Sequence, residues 1–325
     1  MAIITYKQAL NQALKEEMKR DKNVFVIGED VAKYQGAYRV TEGLLYEFGA
    51  DRVKDTPISE EVVVGVGVGS AMLGLRPVVE IMTVNFSLLA IDQIVNHATK
   101  LRYMSNGQIT VPMVIRMPEG AGMQLGAQHS QSFESWFGYI PGLKVVSVSN
   151  PYDAKGLLKS AIRDDNPVIF LEHELLYSTK GEVPENDYTI PIGKADIKRQ
   201  GKDITLISYS KMVSDCLGAA SQLEKDGINS EVIDLRSLRP LDVDMIIESV
   251  KKTHHAVVVE EDWPLYGIGA QIAATIQEHA FDHLDAPVTR VTQADVPMPY
   301  SAELELSALP NKAQIIERVK AVMNR

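Results

Sequence analysis

The sequence predicts an α/β protein of two domains, each built on a mostly parallel sheet flanked by helices. Short apolar segments typical of buried strands alternate with segments of helical periodicity along most of the chain. The length of 325 residues and the 45% content of hydrophobic residues suit two ordinary globular domains. A polar stretch containing glycine and proline interrupts the alternation at 178–202. We therefore expect domains at 1–180 and 203–325, joined by a linker and edge hairpin at 181–202.

The order of the expected elements follows from hydrophobic periodicity. A first helix begins after Thr5, a residue suited to the N-cap position. In the first domain the expected strands are 24–27, 76–81, 111–116, 145–148 and 167–171, and further helices are expected at 88–101 and 152–162. In the second domain the expected strands are 204–208, 231–235, 256–260 and 288–291, and the helices are 212–225, 242–251, 268–279 and 312–323. This alternation predicts parallel sheets covered by helices on both faces.

Charge and cysteine content exclude some classes of function. The net charge is −10 and the pI is near 5.3, which argues against nucleic acid as a partner because phosphate binding needs a basic surface. The single cysteine, Cys216, permits no intrachain disulfide and indicates a reducing compartment. No signal peptide or membrane span is visible, so bacterial cytoplasm or plastid stroma is expected.

One stretch, 55–70, organises the first domain. Pro57 favours a turn, and Ser59 can cap a helix whose first turn contains Glu60 and Glu61, where the helix dipole favours negative charge. Two roles are open for Glu60 from this stretch alone. It is either an ordinary first-turn glutamate or a carboxyl in an apolar site, with a raised pKa suited to sharing a proton with a ligand.

The same helix continues as an apolar run that contains several glycines. Gly65 and Gly69 are one turn apart and share a face. A strip of this kind, which has no side chains, predicts close approach of another backbone, either of this chain or of another subunit. The run is too short and too rich in glycine to cross a bilayer.

Common nucleotide and metal motifs are not supported. The segment 65–70 departs from G-x-G-x-x-G because its last residue is serine, and it follows carboxylates rather than a strand. No phosphate-binding G-x-x-x-x-G-K-[ST] motif and no zinc-ligand spacing occurs. His254 and His255 are adjacent, so on a strand they would point to opposite faces.

Two loops are better candidates for chemistry. His129 lies in a loop at 119–131 whose glycines allow close approach of a ligand, and histidine exchanges protons near neutral pH. The loop 81–86 follows a strand end, where parallel sheets bind ligands. Met82 and Phe86 of that loop could form an apolar wall against a flat ring, or they could be core residues.

Seven segments, found in order over almost the whole chain, resemble the β subunit of the decarboxylating component of 2-oxo acid dehydrogenase complexes. This family is transketolase-like and depends on thiamine diphosphate. The segments are Asp55–Glu60, Gly74–Pro77, Met82–Phe86, Gln128–Gln131, Pro141–Val146, Tyr152–Leu157 and Asp295–Tyr300. The resemblance implies a transketolase-like pyrimidine-binding domain followed by a transketolase C-terminal-like domain.

The resemblance also implies partners and a reaction. The cofactor would lie between an α and a β subunit of an α₂β₂ heterotetramer, and the α subunit would hold the diphosphate and magnesium. The α-subunit motif for this, G-D-G…N-N, does not occur in the sequence. Pyruvate would be oxidatively decarboxylated, and the acetyl group would pass to the lipoyl group of a dihydrolipoyl acetyltransferase core. Branched-chain 2-oxo acids or acetoin are alternative substrates, and a non-catalytic module that docks the α subunit is an alternative of another class.

Site residues follow from the same resemblance. Glu60 would bond a ring nitrogen of the aminopyrimidine and exchange a proton with it. Met82 and Phe86 would pack on that ring, Ile58 would add to the apolar surroundings, and Glu29 would lie near the cofactor.

Other implied residues lie elsewhere in the chain. His129 would face the substrate and assist proton transfer and reductive acylation of the lipoyl group. Glu61 is a departure, because some relatives have an apolar residue there. A potassium ion would be held mainly by backbone carbonyls of Met113, Ala161, Ile162, Asp164 and Asn166.

Overall fold

The computed structural model describes residues 1–324, which divide into two compact units. The first unit comprises Met1–Glu119, Trp136–Val146 and Asn150–Ile192, and the second comprises Gly120–Ser135, Ser147–Ser149 and the described residues from Gly193 onward. The loop that carries His129 therefore groups with the second unit. The boundaries expected at 180 and 203 stay a prediction.

Strands and helices alternate along both units. The strands are β1 (Ala2–Thr5), β2 (Val24–Gly28), β3 (Val53–Asp55), β4 (Arg76–Glu80), β5 (Val114–Glu119), β6 (Lys144–Val148), β7 (Val168–His173), β8 (Lys180–Val183), β9 (Asp196–Arg199), β10 (Ile204–Ser208), β11 (Ser230–Asp234), β12 (Ser237–Arg239), β13 (Ala256–Val259) and β14 (Thr289–Val291). The α-helices are α1 (Tyr6–Arg20), α2 (Leu44–Phe48), α3 (Glu60–Met72), α4 (Leu101–Met104), α5 (Glu134–Tyr139), α6 (Pro151–Arg163), α7 (Met212–Lys225), α8 (Val243–Thr253), α9 (Ile268–Ala280), α10 (Ala302–Ala308) and α11 (Lys312–Val322).

The first unit is built on a sheet in which its strands follow the order β6-β7-β5-β4-β2-β3. The four neighbouring pairs from β7 to β3 are parallel. Strand β2 is buried along its whole length, as expected for a parallel strand covered on both faces. Thr5 caps α1 as predicted, since its side chain accepts a hydrogen bond from the backbone N–H of Gln8.

The second unit has a five-stranded sheet in the order β14-β13-β10-β11-β9. Its strands are parallel except β9, which runs antiparallel to β11. Helices α7 and α11 pack on it around a core that contains Cys216. Burial raises the pKa of the Cys216 thiol well above its usual range, so this group is an inert packing residue. The two mostly parallel α/β sheets confirm the predicted fold class.

Two local predictions were wrong. The segment predicted as one helix at 88–101 contains a 3₁₀-helix over Val84–Ala90 and a π-helix over Gln93–Ala98, followed by α4. Apolar spacing does not distinguish these hydrogen-bonding patterns, because all three place residues three to five apart on one face. The predicted edge hairpin is also replaced by two separate pairs, since β8 pairs with β1 and β9 pairs with β11.

The tightest packing along α3 within this chain occurs at Gly67, which the sequence analysis did not single out. A Cβ on Gly67 would lie 2.7 Å from Val79 Cγ2 and 2.9 Å from Met113 Cε. A Cβ on Gly65 would meet only the side chain of Gln93, and one on Gly69 would meet nothing within 4 Å. Gly67 therefore lets α3 pack directly on β4, whereas the face of Gly69 is open in this chain.

We expect Gly67→Ala to be less stable than Gly69→Ala by about 1–3 kcal/mol, because only the first forces atoms apart in a packed core. Gly69→Ala should gain about 0.5–1 kcal/mol over the parent chain, since alanine favours the helix more than glycine does. Urea unfolding of the parent chain and both variants measures the difference. Equal stability of the two variants would contradict the packing described for Gly67.

Candidate active site

Glu60 begins α3 immediately after β3, at the carboxyl edge of the first sheet. Ser59 occupies the N-cap position, but its side chain makes no capping bond; its carbonyl accepts the first helical bond from Val63 N–H at 3.0 Å. The Glu60 side chain is 6% exposed, whereas Glu61 in the same turn is exposed. The fold thus separates two adjacent glutamates, burying one and leaving the other in solvent.

Glu29 reaches the same edge from the neighbouring strand β2. Its backbone position is held by close strand packing, because a Cβ on Gly28 would lie 2.5 Å from the carbonyl oxygen of Glu80 on β4. The loop after Glu29 is tied to the end of β3 by Asp55, whose carboxylate accepts from the N–H of Ala32 at 2.7 Å. Glycine is required at position 28 because any side chain would separate β2 from β4.

The charge of Glu60 acts on the carboxyl group of Glu29. Burial raises the pKa of Glu29, and the negative charges of Glu60 and Asp30 raise it further. The two carboxyl groups thus share one electrostatic environment at adjacent strand ends. A titratable group with a shifted pKa at a strand end is a candidate for a functional site.

The expected apolar neighbours differ in their exposure. Met82 and Phe86 follow β4 and are half-buried. Ile58 precedes Glu60 and is 82% exposed. Their part in a wall around a bound ring stays a prediction.

A buried ion network lies beneath this edge, and the sequence analysis missed it. Arg116 on β5 donates to both carboxylate oxygens of Glu172 on β7 at 2.7 Å and to Glu80 at 2.5 Å. Tyr177 donates its hydroxyl to Glu172 at 2.8 Å. Its signal in the sequence was a charged residue within each of three apolar strands, although only the strand order shows that β4, β5 and β7 are neighbours.

Burial and the neighbouring charges shift the pKa values of Arg116 and Glu80 in this network. Arg116 is 1% exposed and Glu172 is 0% exposed. Burial alone would lower the pKa of Arg116, but Glu172 and Glu80 raise it. Burial raises the pKa of Glu80, while Arg116 opposes that shift. The arginine therefore links β5 to the end of β4, from which Met82 emerges, and to β7.

His129 is placed in the second unit, so the structure groups it apart from Glu60. It is half-buried, and its backbone N–H donates to the backbone carbonyl of Gly126 at 3.2 Å. This bond makes a turn near the tip of the 120–131 loop. The other predicted site residues all belong to the first unit.

The residues expected to hold potassium converge where α6 ends and β5 and β7 begin. The carbonyl of Met113 accepts from Val168 N–H at 2.9 Å. Arg76 donates to the carbonyls of Ile162 and Asp164 at 3.1 Å and 3.0 Å. Arg76 thus already places a positive charge at two of these carbonyls, and potassium binding there stays a prediction.

Side-chain metal sites are a separate matter. Within residues 1–324, His, Cys, Asp and Glu side chains form no group of three that could hold a metal ion. In the same part of the chain, no helix has the length and apolarity needed to cross a membrane.

Comparison with known proteins agrees with this geometry. The family model described as transketolase, pyrimidine binding domain, matches residues 2–180, and the transketolase C-terminal domain model matches residues 193–315. A solved structure of a split-gene transketolase, an inactive β4 tetramer, superposes with a TM-score of 0.83 over 99% of both chains. At 22% identity this structure shows the fold alone.

Curated relatives are more similar. The pyruvate dehydrogenase E1 component subunit β of Rickettsia bellii is 54% identical over 98% of both chains. The Rhizobium meliloti protein of that name is 55% identical over 99% of this chain and 70% of its own length. The mitochondrial Rattus norvegicus protein is 53% identical over 99% of this chain and 91% of its own length.

The two family models together cover most of the chain and define a protein of the transketolase class. Within that class, the chain belongs to the family of pyruvate dehydrogenase E1 component β subunits. The resemblance inferred from the sequence motifs is confirmed.

We expect Arg116→Met to lower the free energy of unfolding by about 3–5 kcal/mol at pH 7, because Glu80 and Glu172 would be buried without a counter-charge. The loss should be smaller in acid. Arg116 opposes the rise that burial gives the pKa of Glu80, so without arginine that pKa rises further; the variant then regains stability as pH falls and loses it as pH rises through that value. Urea unfolding at several pH values measures this.

Arg318→Met is the matched control, since Arg318 is exposed on α11. Its effect should stay within about 0.5 kcal/mol at every pH. A loss in Arg116→Met as small as that of the control would show that the network contributes little.

Proposed function

We propose that this chain is the β subunit of a thiamine-diphosphate-dependent pyruvate dehydrogenase component. It would take part in oxidative decarboxylation of pyruvate and in acetyl transfer to the lipoyl group of a dihydrolipoyl acetyltransferase, giving acetyl-CoA in the whole complex. The observation that carries the proposal is the burial of Glu60 beside Glu29 at a carboxyl edge, within a segment matched by a pyrimidine-binding family model.

The residues present fit the pyrimidine half of the cofactor. Glu60 would bond a ring nitrogen and hold or release the proton there, and Glu29 would favour a proton at the site by its charge. Met82, Phe86 and Ile58 would cover the ring and exclude water. When bound, the cofactor supplies an electron sink for loss of carbon dioxide.

An α subunit would complete the site and make an α₂β₂ heterotetramer. The relatives are named as subunits β of an E1 component, which supports a partner chain. The exposed Ile58 next to Glu60 and the open face of Gly69 on the same helix support contact with another polypeptide there. The diphosphate and magnesium would be held by the α subunit.

His129 would act on the lipoyl side of the reaction. A half-buried imidazole near neutral pH can transfer a proton during reductive acylation. Its loop belongs to the second unit, so its place relative to Glu60 is part of this proposal.

The alternatives receive less support. The relatives are named for pyruvate rather than for branched-chain acids or acetoin. An assembly module would not require a buried glutamate next to an exposed one in the same helical turn. The relatives include bacterial and mitochondrial proteins, so the predicted bacterial cytoplasm or plastid stroma stays a prediction.

Glu60→Gln should lower pyruvate decarboxylation by about a hundredfold or more in the heterotetramer reconstituted with its α chain, because the amide cannot exchange the proton. Glu61→Gln is the matched control, one residue away in the same turn but exposed, and should change the rate less than about threefold. A dye-linked pyruvate assay measures both rates, and size-exclusion chromatography reports assembly.

Retained activity of Glu60→Gln in an intact heterotetramer would favour the assembly module. Loss of assembly in Glu60→Gln but not in Glu61→Gln would favour it as well. Preference for a branched-chain acid by the unaltered heterotetramer would overturn the choice of pyruvate.

Potassium is proposed at the carbonyls of Met113, Ala161, Ile162, Asp164 and Asn166. The melting temperature of the heterotetramer should then be higher in potassium chloride than in choline chloride at equal ionic strength, since a ligand that binds only the folded state stabilises it. Equal melting temperatures would instead indicate that the guanidinium of Arg76 suffices at the carbonyls of Ile162 and Asp164.

A further inference from the structure

The loop that carries His129 has a closed and unusual backbone. Gly120 N–H donates to the carbonyl of Gln131 at 3.1 Å, so the two ends of the loop are joined. Positive φ angles occur at Gly120 (96°), Gly122 (108°) and Gln124 (58°). The last of these is not a glycine, and a residue with a long side chain takes this conformation only where its surroundings hold it.

A buried carboxylate on another segment holds the loop in this conformation. Glu305 lies on α10 and is 1% exposed. Its carboxylate accepts from Gly122 N–H at 2.9 Å and from Gln124 N–H at 3.1 Å. Several N–H groups of an irregular loop thus converge on one anion, an arrangement known to bind carboxylates strongly.

A second carboxylate extends the same anchor. Glu261, 5% exposed, accepts from Ala121 N–H at 2.8 Å. The Ala121 side chain packs in an apolar cluster with Ala308 and Leu309 around α10. The first part of the loop is therefore held by two acidic residues and an apolar contact, all within the second unit.

The anchor contrasts with its neighbours on α10. Glu303 and Leu304 are exposed. Of the two glutamates on α10, Glu305 is the buried one. Burial of a carboxylate is unfavourable unless hydrogen bonds compensate it, and the loop N–H groups supply them. Loop and helix therefore depend on each other: without Glu305 the N–H groups of Gly122 and Gln124 lose their acceptor.

We propose that Glu305 is a positioning residue that acts through the 120–131 loop to set the place of His129. This inference rests on the proposed function of His129 in acetyl transfer to the lipoyl group. Glu305 itself bonds backbone atoms and touches no reacting group. Its loss would let the loop leave the conformation that Gln124 adopts, and His129 would lose its orientation.

The test uses the heterotetramer with its α chain and compares Glu305→Ala, Glu305→Gln, Glu303→Ala and His129→Ala. Acetyl transfer to a free lipoyl domain and dye-linked decarboxylation of pyruvate are measured separately for each. Glutamine keeps one oxygen that can accept from both loop N–H groups, so it is the conservative rescue. Glu303→Ala removes an exposed carboxylate from the same helix.

Glu305→Ala should lower kcat for acetyl transfer by about ten- to a hundredfold, as expected for a displaced catalytic group, and change decarboxylation less than about threefold. Glu305→Gln should recover most of the loss, and Glu303→Ala should match the parent. Hydrogen exchange should show faster exchange at Gly122 and Gln124 in Glu305→Ala than in Glu305→Gln.

Equal loss of both activities, or equal behaviour of Glu305→Ala and Glu305→Gln, would overturn the positioning role. If Glu305→Ala does not fold, Glu305→Gln alone can overturn the positioning role. It does so if its acetyl transfer is slow while hydrogen exchange at Gly122 and Gln124 is unchanged. Normal acetyl transfer by His129→Ala would instead overturn the role proposed for His129, while the exchange data would still report on the anchor.

Discussion

The bonds of Arg116 to Glu80 and Glu172 are the interaction on which the first unit most depends. A parallel sheet covered on both faces buries the side chains of its strands, so charged side chains there must neutralise one another. Arg116 does so across three neighbouring strands, and it donates at 2.5–2.7 Å. The candidate site can therefore place further carboxyl groups, Glu29 and Glu60, at the next strands without leaving the underlying charges uncompensated.

Both units place carboxylates at or near the ends of secondary structure, but in different surroundings. In the first unit burial and the charge of Glu60 raise the pKa of Glu29. In the second unit Glu305 and Glu261 accept from backbone N–H groups and shape a loop. The second pair is occupied by fixed backbone donors.

Much of the fold could be predicted because the apolar segments have clear lengths and periods. Strand β10 and helix α7 were predicted at the same bounds that the structure gives. The segment 88–101 could not be predicted correctly, because 3₁₀, π and α turns share similar apolar spacing. Gly67 was missed for another reason: its neighbours Val79 and Met113 are known only once the strands are assembled.

The sequence by itself determined the α/β class and the family, since these depend on local patterns and on motifs in a fixed order. Only the tertiary structure decided which acidic residues are buried and what they bind. Glu305 and Gly122 are 183 residues apart, and nothing local marks Glu305 as different from Glu303. Burial and hydrogen bonding between distant segments follow from strand order and packing, which no short stretch of sequence contains.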